Sequence, residues 1–274
     1  MDIERNSELR LTFFYLIIIL TLLSLLACDK TDELITEKQK IIVESCDNGF
    51  EIKMGNYIIQ NNKWGENNFP GNQCVWLMGP DTLFGWDWSY PNNNNEYKYP
   101  EIITGRKPWG PNTNYPNLPG VIETIKNINV SFDTKIESNG KNNLAFDIWV
   151  HNTNQKNNIS PDNILAEIMI WVNDNNLCCW GEKQGEVSFD NFEYEIYKTE
   201  LSHIPGDNYY ILFYSKVPML NQQINIMNFI NYTVQKGWIS EKNVVSSIEF
   251  GTEIVEGTGR IEISKYAVEI DMIK

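Results

Sequence analysis

Apolar and polar residues alternate along most of the chain beyond Cys46. A period of two is the mark of a half-buried β-strand. It predicts strands over Tyr57–Gln60, Cys74–Leu77, Val121–Phe132, Asn143–Val150, Ala166–Val172, Phe189–Tyr197, Tyr209–Val217, Ser246–Thr252 and Ile261–Glu269. Clusters of Asn, Gly and Pro separate them. Many short strands with little helix predict a β-sandwich or jelly roll. One segment, Asn221 to Lys236, changes period: Ile224, Met227, Ile230 and Val234 share a helical stripe, and Gly237 follows as a stop. This is one amphipathic helix packed on a sheet. The stretch from Asn62 to Pro119 reads as a long loop holding Trp64, Trp86, Trp88, Trp109, Tyr90, Tyr97, Tyr99 and Tyr115. Two readings stand for it: the wall of a binding cleft, or a satellite cluster that pins the loop.

The N-terminus has another pattern. Arg5 and Arg10 precede an apolar run from Leu11 to Ala27, and Cys28 stands where the run stops. A basic start and an apolar stretch make a signal peptide. A small residue before a cysteine resembles a bacterial lipobox, which would leave Cys28 as a lipidated N-terminus. Residues 1–27 are therefore expected to be removed, and 28–45 to serve as lipidated cysteine and spacer; the alternatives are an ordinary signal peptide or an uncleaved anchor. The expected location is outside the cytoplasm, anchored to a membrane at the bacterial cell surface or facing the periplasm.

Composition narrows the partners. The 274 residues carry a net charge of −14, and no basic patch stands out. Nucleic acid is thus an unsuitable partner. A neutral polysaccharide tolerates an acidic protein, and 9 Trp and 13 Tyr offer platforms for sugar rings. There is no CxxC pair, and His151 and His203 stand alone, so neither a zinc site nor another metal is expected. Cys46 and Cys74 lie near early strands and could staple them, whereas the adjacent Cys178 and Cys179 leave disulfide and thiol both open.

Strand alternation also points to chemistry. Glu167, Met169 and Trp171 share one face of their strand, with Ile168, Ile170 and Val172 on the other. Asp147 and Trp149 repeat this against Phe146, Ile148 and Val150. Glu249, Gly251 and Glu253 do so against Ile248 and Phe250. Three strands thus carry an acid on the face away from the core. Ionised carboxylates in apolar strands are costly without a task or a partner. Two of them across a cleft are the minimum needed to cut a glycosidic bond.

These residues resemble glycoside hydrolase family 12, the β-jelly-roll endoglucanases and xyloglucanases, from about Cys46 to the C-terminus. Asn61-Asn62-Lys63-Trp64-Gly65, Asp147-Ile148-Trp149, Glu167-Ile168-Met169-Ile170-Trp171 and Gly251-Thr252-Glu253 carry the resemblance, in the family's order. The resemblance implies two antiparallel sheets with a concave cleft and one packed helix, and makes 46–274 the catalytic domain. It implies Glu167 as nucleophile, Glu253 as acid/base, and Asp147 as a hydrogen-bonded support of Glu167. Asn62, Trp64, Trp149, Met169, Trp171, Trp86 and Trp109 are the expected substrate contacts. The resemblance also implies a Cys46–Cys74 disulfide and a retaining mechanism without cofactor or metal. Cys178-Cys179, Ile254 and Glu256 depart from the family pattern.

The expected activity is endo-hydrolysis of β-1,4-glucan backbones (cellulose, mixed-linkage glucan or xyloglucan) by a monomer. Two alternatives remain: a β-1,4-xylanase on the same fold, and a surface lipoprotein that captures glycans without cutting them.

Overall fold

The computed structural model describes residues 40–63, 71–79, 83–91, 98–177, 179–201 and 208–274. The N-terminal segment with Cys28, as well as Trp64, Tyr97, Cys178 and His203, lies outside the described residues. Residues 40–42 and 78–79 belong to a small unit of their own, in which Gly79 N–H donates to the Lys40 carbonyl at 3.2 Å. The rest form the main unit.

Its strands are β1 (Ile41–Ser45, entered from the small unit), β2 (Glu51–Met54), β3 (Tyr57–Gln60), β4 (Asn72–Met78), β5 (Leu83–Tyr90), β6 (Glu101–Gly105), β7 (Gly120–Val121) and β8 (Ile125–Ser138). Then come β9 (Lys141–His151), β10 (Ile164–Asn175), β11 (Glu182–Phe189), β12 (Phe192–Glu200), β13 (Tyr209–Ser215) and β14 (Asn221–Asn225). The helix α1 (Ile226–Gln235), β15 (Val244–Gly251) and β16 (Ile254–Met272) complete the unit.

The strands make two layers. The larger runs β2-β3-β6-β15-β9-β10-β13-β12-β11. The smaller contains β4-β5-β16-β8-β14. Strand β16 changes layers, pairing with β9 at Ile254 and Glu256 and then with β5 and β8. All of these pairs with a defined register are antiparallel except β10 with β13, which run parallel. This is the expected jelly-roll sandwich with one parallel pair.

The core lies between the layers. Phe132 of β8 meets Phe146 of β9 and Phe250 of β15, with ring centroids 5.3 Å apart in both contacts. Ile148, Ile168, Ile170, Ile211, Phe213 and Ile248 join the same cluster. Each comes from the apolar face of an alternating strand, so the other face of those strands is free to line a cleft. Asn225 caps α1, its side chain accepting from Met227 N–H at 3.1 Å. Phe229 of α1 seats edge-on against Phe189, Tyr194 and Phe213.

Four expectations change, the first at Val121–Phe132, where a 3-10 turn at Ile122–Thr124 separates β7 from β8. The run Phe189–Tyr197 is not one strand: Asp190 and Asn191 have φ of 50° and 69°, so they turn β11 back into β12. Asn and Asp tolerate this left-handed geometry, and their presence was the missed signal. The helix is shorter than Asn221–Lys236, because Asn221–Asn225 pairs with β8 first. Finally, the aromatic stretch is not all loop. Phe84, Trp86, Trp88 and Tyr90 alternate along β5 and enter the core. Trp86, expected at the substrate, is fully buried there, and its Nε1–H donates to Thr252 Oγ1 at 2.9 Å.

Cys46, just after β1, is bonded to Cys74 on β4. It closes a loop with a sequence separation of 28.

Candidate active site

Register builds the site. Across the outward face of the large layer, Ser247, Trp149, Glu167 and Tyr210 lie in one row. Ile103, Glu249, Asp147, Met169 and Leu212 form the next. Glu101, Gly251, Ala145, Trp171 and Tyr214 form the third. A cleft of about 470 Å³ opens over these rows. It is lined by Glu167, Glu253, Asp147 and Glu249 with Asn62, Tyr99 and Lys107. Trp109, Trp149, Met169, Trp171, Trp180 and Tyr210 supply its apolar surface. Asp147, Glu167 and Glu253 thus meet in one place, together with Asn62, Trp109, Trp149, Met169 and Trp171. Trp86 does not reach the cleft.

The Gly251-Thr252-Glu253 run has a physical reason at each position. A side chain at Gly251 would strike the Pro100 carbonyl, 2.7 Å from where its Cβ would stand, and the Tyr99 ring at 2.8 Å. Thr252 N–H donates to the Pro100 carbonyl at 3.2 Å, and Ile254 N–H to the Lys98 carbonyl at 2.9 Å. These bonds turn the chain so that Glu253 enters the cleft. Asn143 of β9 then grips Glu253 from three sides. Its N–H donates to the Glu253 carbonyl at 3.1 Å, its Oδ1 accepts from Glu253 N–H at 2.8 Å, and its Nδ2 donates to Glu253 Oε2.

Electrostatics separate these acids from ordinary surface carboxylates. Burial lifts Glu253 to about 7, against a lowering by the Asn143 hydrogen bond. Burial also lifts Glu167, to about 8, with the charges of Glu253 and Glu249 adding to it and Lys107 opposing. Asp147 is raised well above the usual carboxylate range by burial and then by Glu167. Such a site resists a second negative charge. Among the described residues, Asp147 Oδ1 and the indole nitrogens of Trp149 and Trp171 are buried without hydrogen-bond partners.

Two aromatic rims flank the acids. Trp109 is 50% exposed and meets Trp149 edge-on, with centroids 4.8 Å apart. Trp180 is 49% exposed and packs on Tyr210 at 5.2 Å. Exposed indoles beside buried acids make a surface for the apolar face of a sugar ring.

A model of the glycosyl hydrolase family 12 matches residues 55–271. The chain belongs to glycosyl hydrolase family 12. It is 30% identical to endoglucanase S of Pectobacterium parmentieri over 218 residues, which covers 78% of this chain and 81% of that relative. The native family 12 xyloglucanase of Bacillus licheniformis superposes with a TM-score of 0.76 at 31% identity, over 84% of this chain and all of that one. Endoglucanase cel12A of Rhodothermus marinus shares the fold, with a TM-score of 0.73 at 24% identity over 84% of this chain and all of that one. Family membership makes the chain a glycoside hydrolase.

Sequence reasoning missed several residues of the cleft: Lys107, Asn143, Leu177, Cys179, Trp180 and Tyr210; Tyr99, from the aromatic stretch with two readings, falls on the cleft wall. Tyr210 had a signal, since it shares a face with Leu212 and Tyr214. The others come from turns and strand ends, where no period marks the face.

Proposed function

We propose that this protein is an endo-acting hydrolase of β-1,4-glucan backbones that retains anomeric configuration. The observation that carries the reading is a pair of buried carboxyls, Glu167 and Glu253, lining one aromatic cleft. Glu167 attacks the anomeric carbon while Glu253 passes its proton to the departing glycosidic oxygen. This leaves a glycosyl ester on Glu167 and a carboxylate on Glu253. Glu253 then takes a proton from water, the resulting hydroxide displaces Glu167, and both groups return to their starting states.

The site must hold one proton between the two acids at the moment of attack. Burial raises both carboxyls, so the protein alone does not set one apart as the acid. Substrate supplies the missing preference. Its glycosidic oxygen accepts a hydrogen bond only from a protonated Glu253, and its electron-poor anomeric carbon favours charge on Glu167. Asp147, whose carboxyl burial and then Glu167 raise well above the usual range, is the group that would donate to Glu167 and orient it. Asn62, Trp149, Met169, Trp171 and Trp109 hold the glucan. No cofactor enters the scheme.

The relatives named above, an endoglucanase and a xyloglucanase, support a β-glucan as substrate. The test is reducing-sugar release from xyloglucan, carboxymethyl cellulose, mixed-linkage glucan and xylan, with Glu167→Gln and Glu253→Gln in parallel. Release from a β-glucan that both substitutions abolish is expected. Glucan capture without release, unchanged by either substitution, would refute hydrolysis and leave a binding protein. We also propose export and lipid anchoring through Cys28, supported by the apolar run that ends there. Radiolabelled palmitate should enter the wild type and not Cys28→Ala.

A further inference from the structure

We propose that Lys107 is a positioning residue of the cleft, clamped between Glu101 and Glu249 so that its ammonium offsets the acids crowding Glu167 and favours the charged form needed for attack. The inference rests on the reading of Glu167 as nucleophile. Lys107 lies just beyond β6, is 3% exposed, and lines the same cleft as Glu167. Its Nζ stands 2.5 Å from Glu101 Oε1 and 3.2 Å from Glu249 Oε2. Glu101 Oε1 also accepts from Asn62 Nδ2 at 3.0 Å, and Glu249 Oε1 from Ser247 Oγ at 3.0 Å. Glu249 faces Asp147 directly across the β15–β9 pair, and Asp147 faces Met169, two residues from Glu167.

A buried ion pair is a poor way to gain stability, since apolar residues of similar volume do as well. Here it sits in the floor of the cleft, where it controls local charge. Two acids share one ammonium. Burial raises Glu101 well above the usual carboxylate range, with Lys107 opposing and Glu249 adding to it, so the two acids compete for the one ammonium. The groups facing Glu167 are Asp147 from β9, Glu249 from β15, Tyr210 from β13, and Glu253 after β15. Tyr99, Glu101 and Lys107 from around β6 and Cys179 from the turn after β10 complete them. Within this set Lys107 lowers the proton affinity of Glu167 while Glu249 and Glu253 raise it. Removing Lys107 and removing Glu249 must therefore act with opposite sign.

The test uses Lys107→Met, Glu249→Gln and the double variant, with two readouts. One is the acidic limb of kcat, which reports the substrate complex and there follows loss of the proton from Glu167. The other is direct titration of the Glu167 carboxyl by carbon NMR, assigned with Glu167→Gln. Lys107→Met should move both upward by about one pH unit. Glu249→Gln should move both downward, and the double variant should return towards the wild type. A structural role would lower activity or melting temperature in both single variants without opposite shifts. Same-direction shifts, or none, in the NMR titration overturn the inference. If Lys107→Met does not fold, the downward shift in Glu249→Gln decides alone. If the NMR titration moves as expected while the rate profile does not follow, the role of Glu167 is what fails.

Discussion

Replacing Asn143 by Ala would show whether the grip on Glu253 sets its proton affinity. Asn143 is fully buried, and its Nδ2 donates to Glu253 Oε2. That bond favours the ionised carboxylate and lowers its pKa against the larger effect of burial. A hydrogen bond to a charged group contributes about 1.5–3 kcal/mol. Each pH unit corresponds to about 1.4 kcal/mol, so loss of the bond should raise Glu253 by about one to two units. The protonated acid then survives to higher pH, and the basic limb of kcat, which reports the substrate complex, moves upward by the same amount. Glu253 N–H also loses its acceptor, Asn143 Oδ1, at a cost of about 1–3 kcal/mol in stability. Asn143→Asp separates the two effects. It keeps an acceptor for Glu253 N–H but adds a negative charge, so its basic limb should rise with less loss of stability. The assay is initial rate against pH on a soluble β-glucan, with melting temperature measured alongside. A basic limb that stays in place or moves downward in a folded Asn143→Ala would refute the reasoning.

Other outcomes follow from the same geometry. Glu167→Gln should stabilise the fold at neutral and alkaline pH while abolishing hydrolysis. The folded-state pKa of about 8 lies above the usual 4.5, so the wild type loses stability as pH rises through that window. The gain in melting temperature should therefore be larger at pH 8 than at pH 4; an equal gain at both would count against a strained carboxylate. Opening the Cys46–Cys74 loop, with its separation of 28, should cost about 3.5 kcal/mol in chemical denaturation. No change on Cys74→Ser would show that the loop is held by other contacts. Trp109→Ala should raise KM for glucan and leave melting temperature nearly unchanged, because half of the ring is exposed. Trp86→Ala should cost about 3–5 kcal/mol in stability, as a buried indole in the core. A KM effect confined to Trp86 would reverse this assignment.

The alternating strands make the acids legible in the sequence. Glu167, Asp147 and Glu249 stand opposite Ile168, Phe146 and Ile248, and a period of two forces each pair onto opposite faces whatever the fold. The same rule applies to β5, where Phe84, Trp86, Trp88 and Tyr90 alternate with Gly85, Asp87 and Ser89. The density of Asn and Pro around that segment hides the signal. It also hides β6, and with it Lys107 and Glu101.

Local pattern thus determined the sheet class, the outward faces and the two candidate carboxylates, because strand geometry repeats every two residues and needs no partner to be read. It did not determine which strands are neighbours. Only the tertiary structure set β15, β9 and β10 side by side, which brought Asp147 opposite Glu249 and Met169. Only it closed Asn143 on Glu253 across 110 positions of chain. Only it turned Trp86 into the core and left Trp109 at the cleft. Register and burial are properties of paired elements, and pairing is decided by the free energy of the whole core. A single segment of sequence carries no record of which partner it will meet.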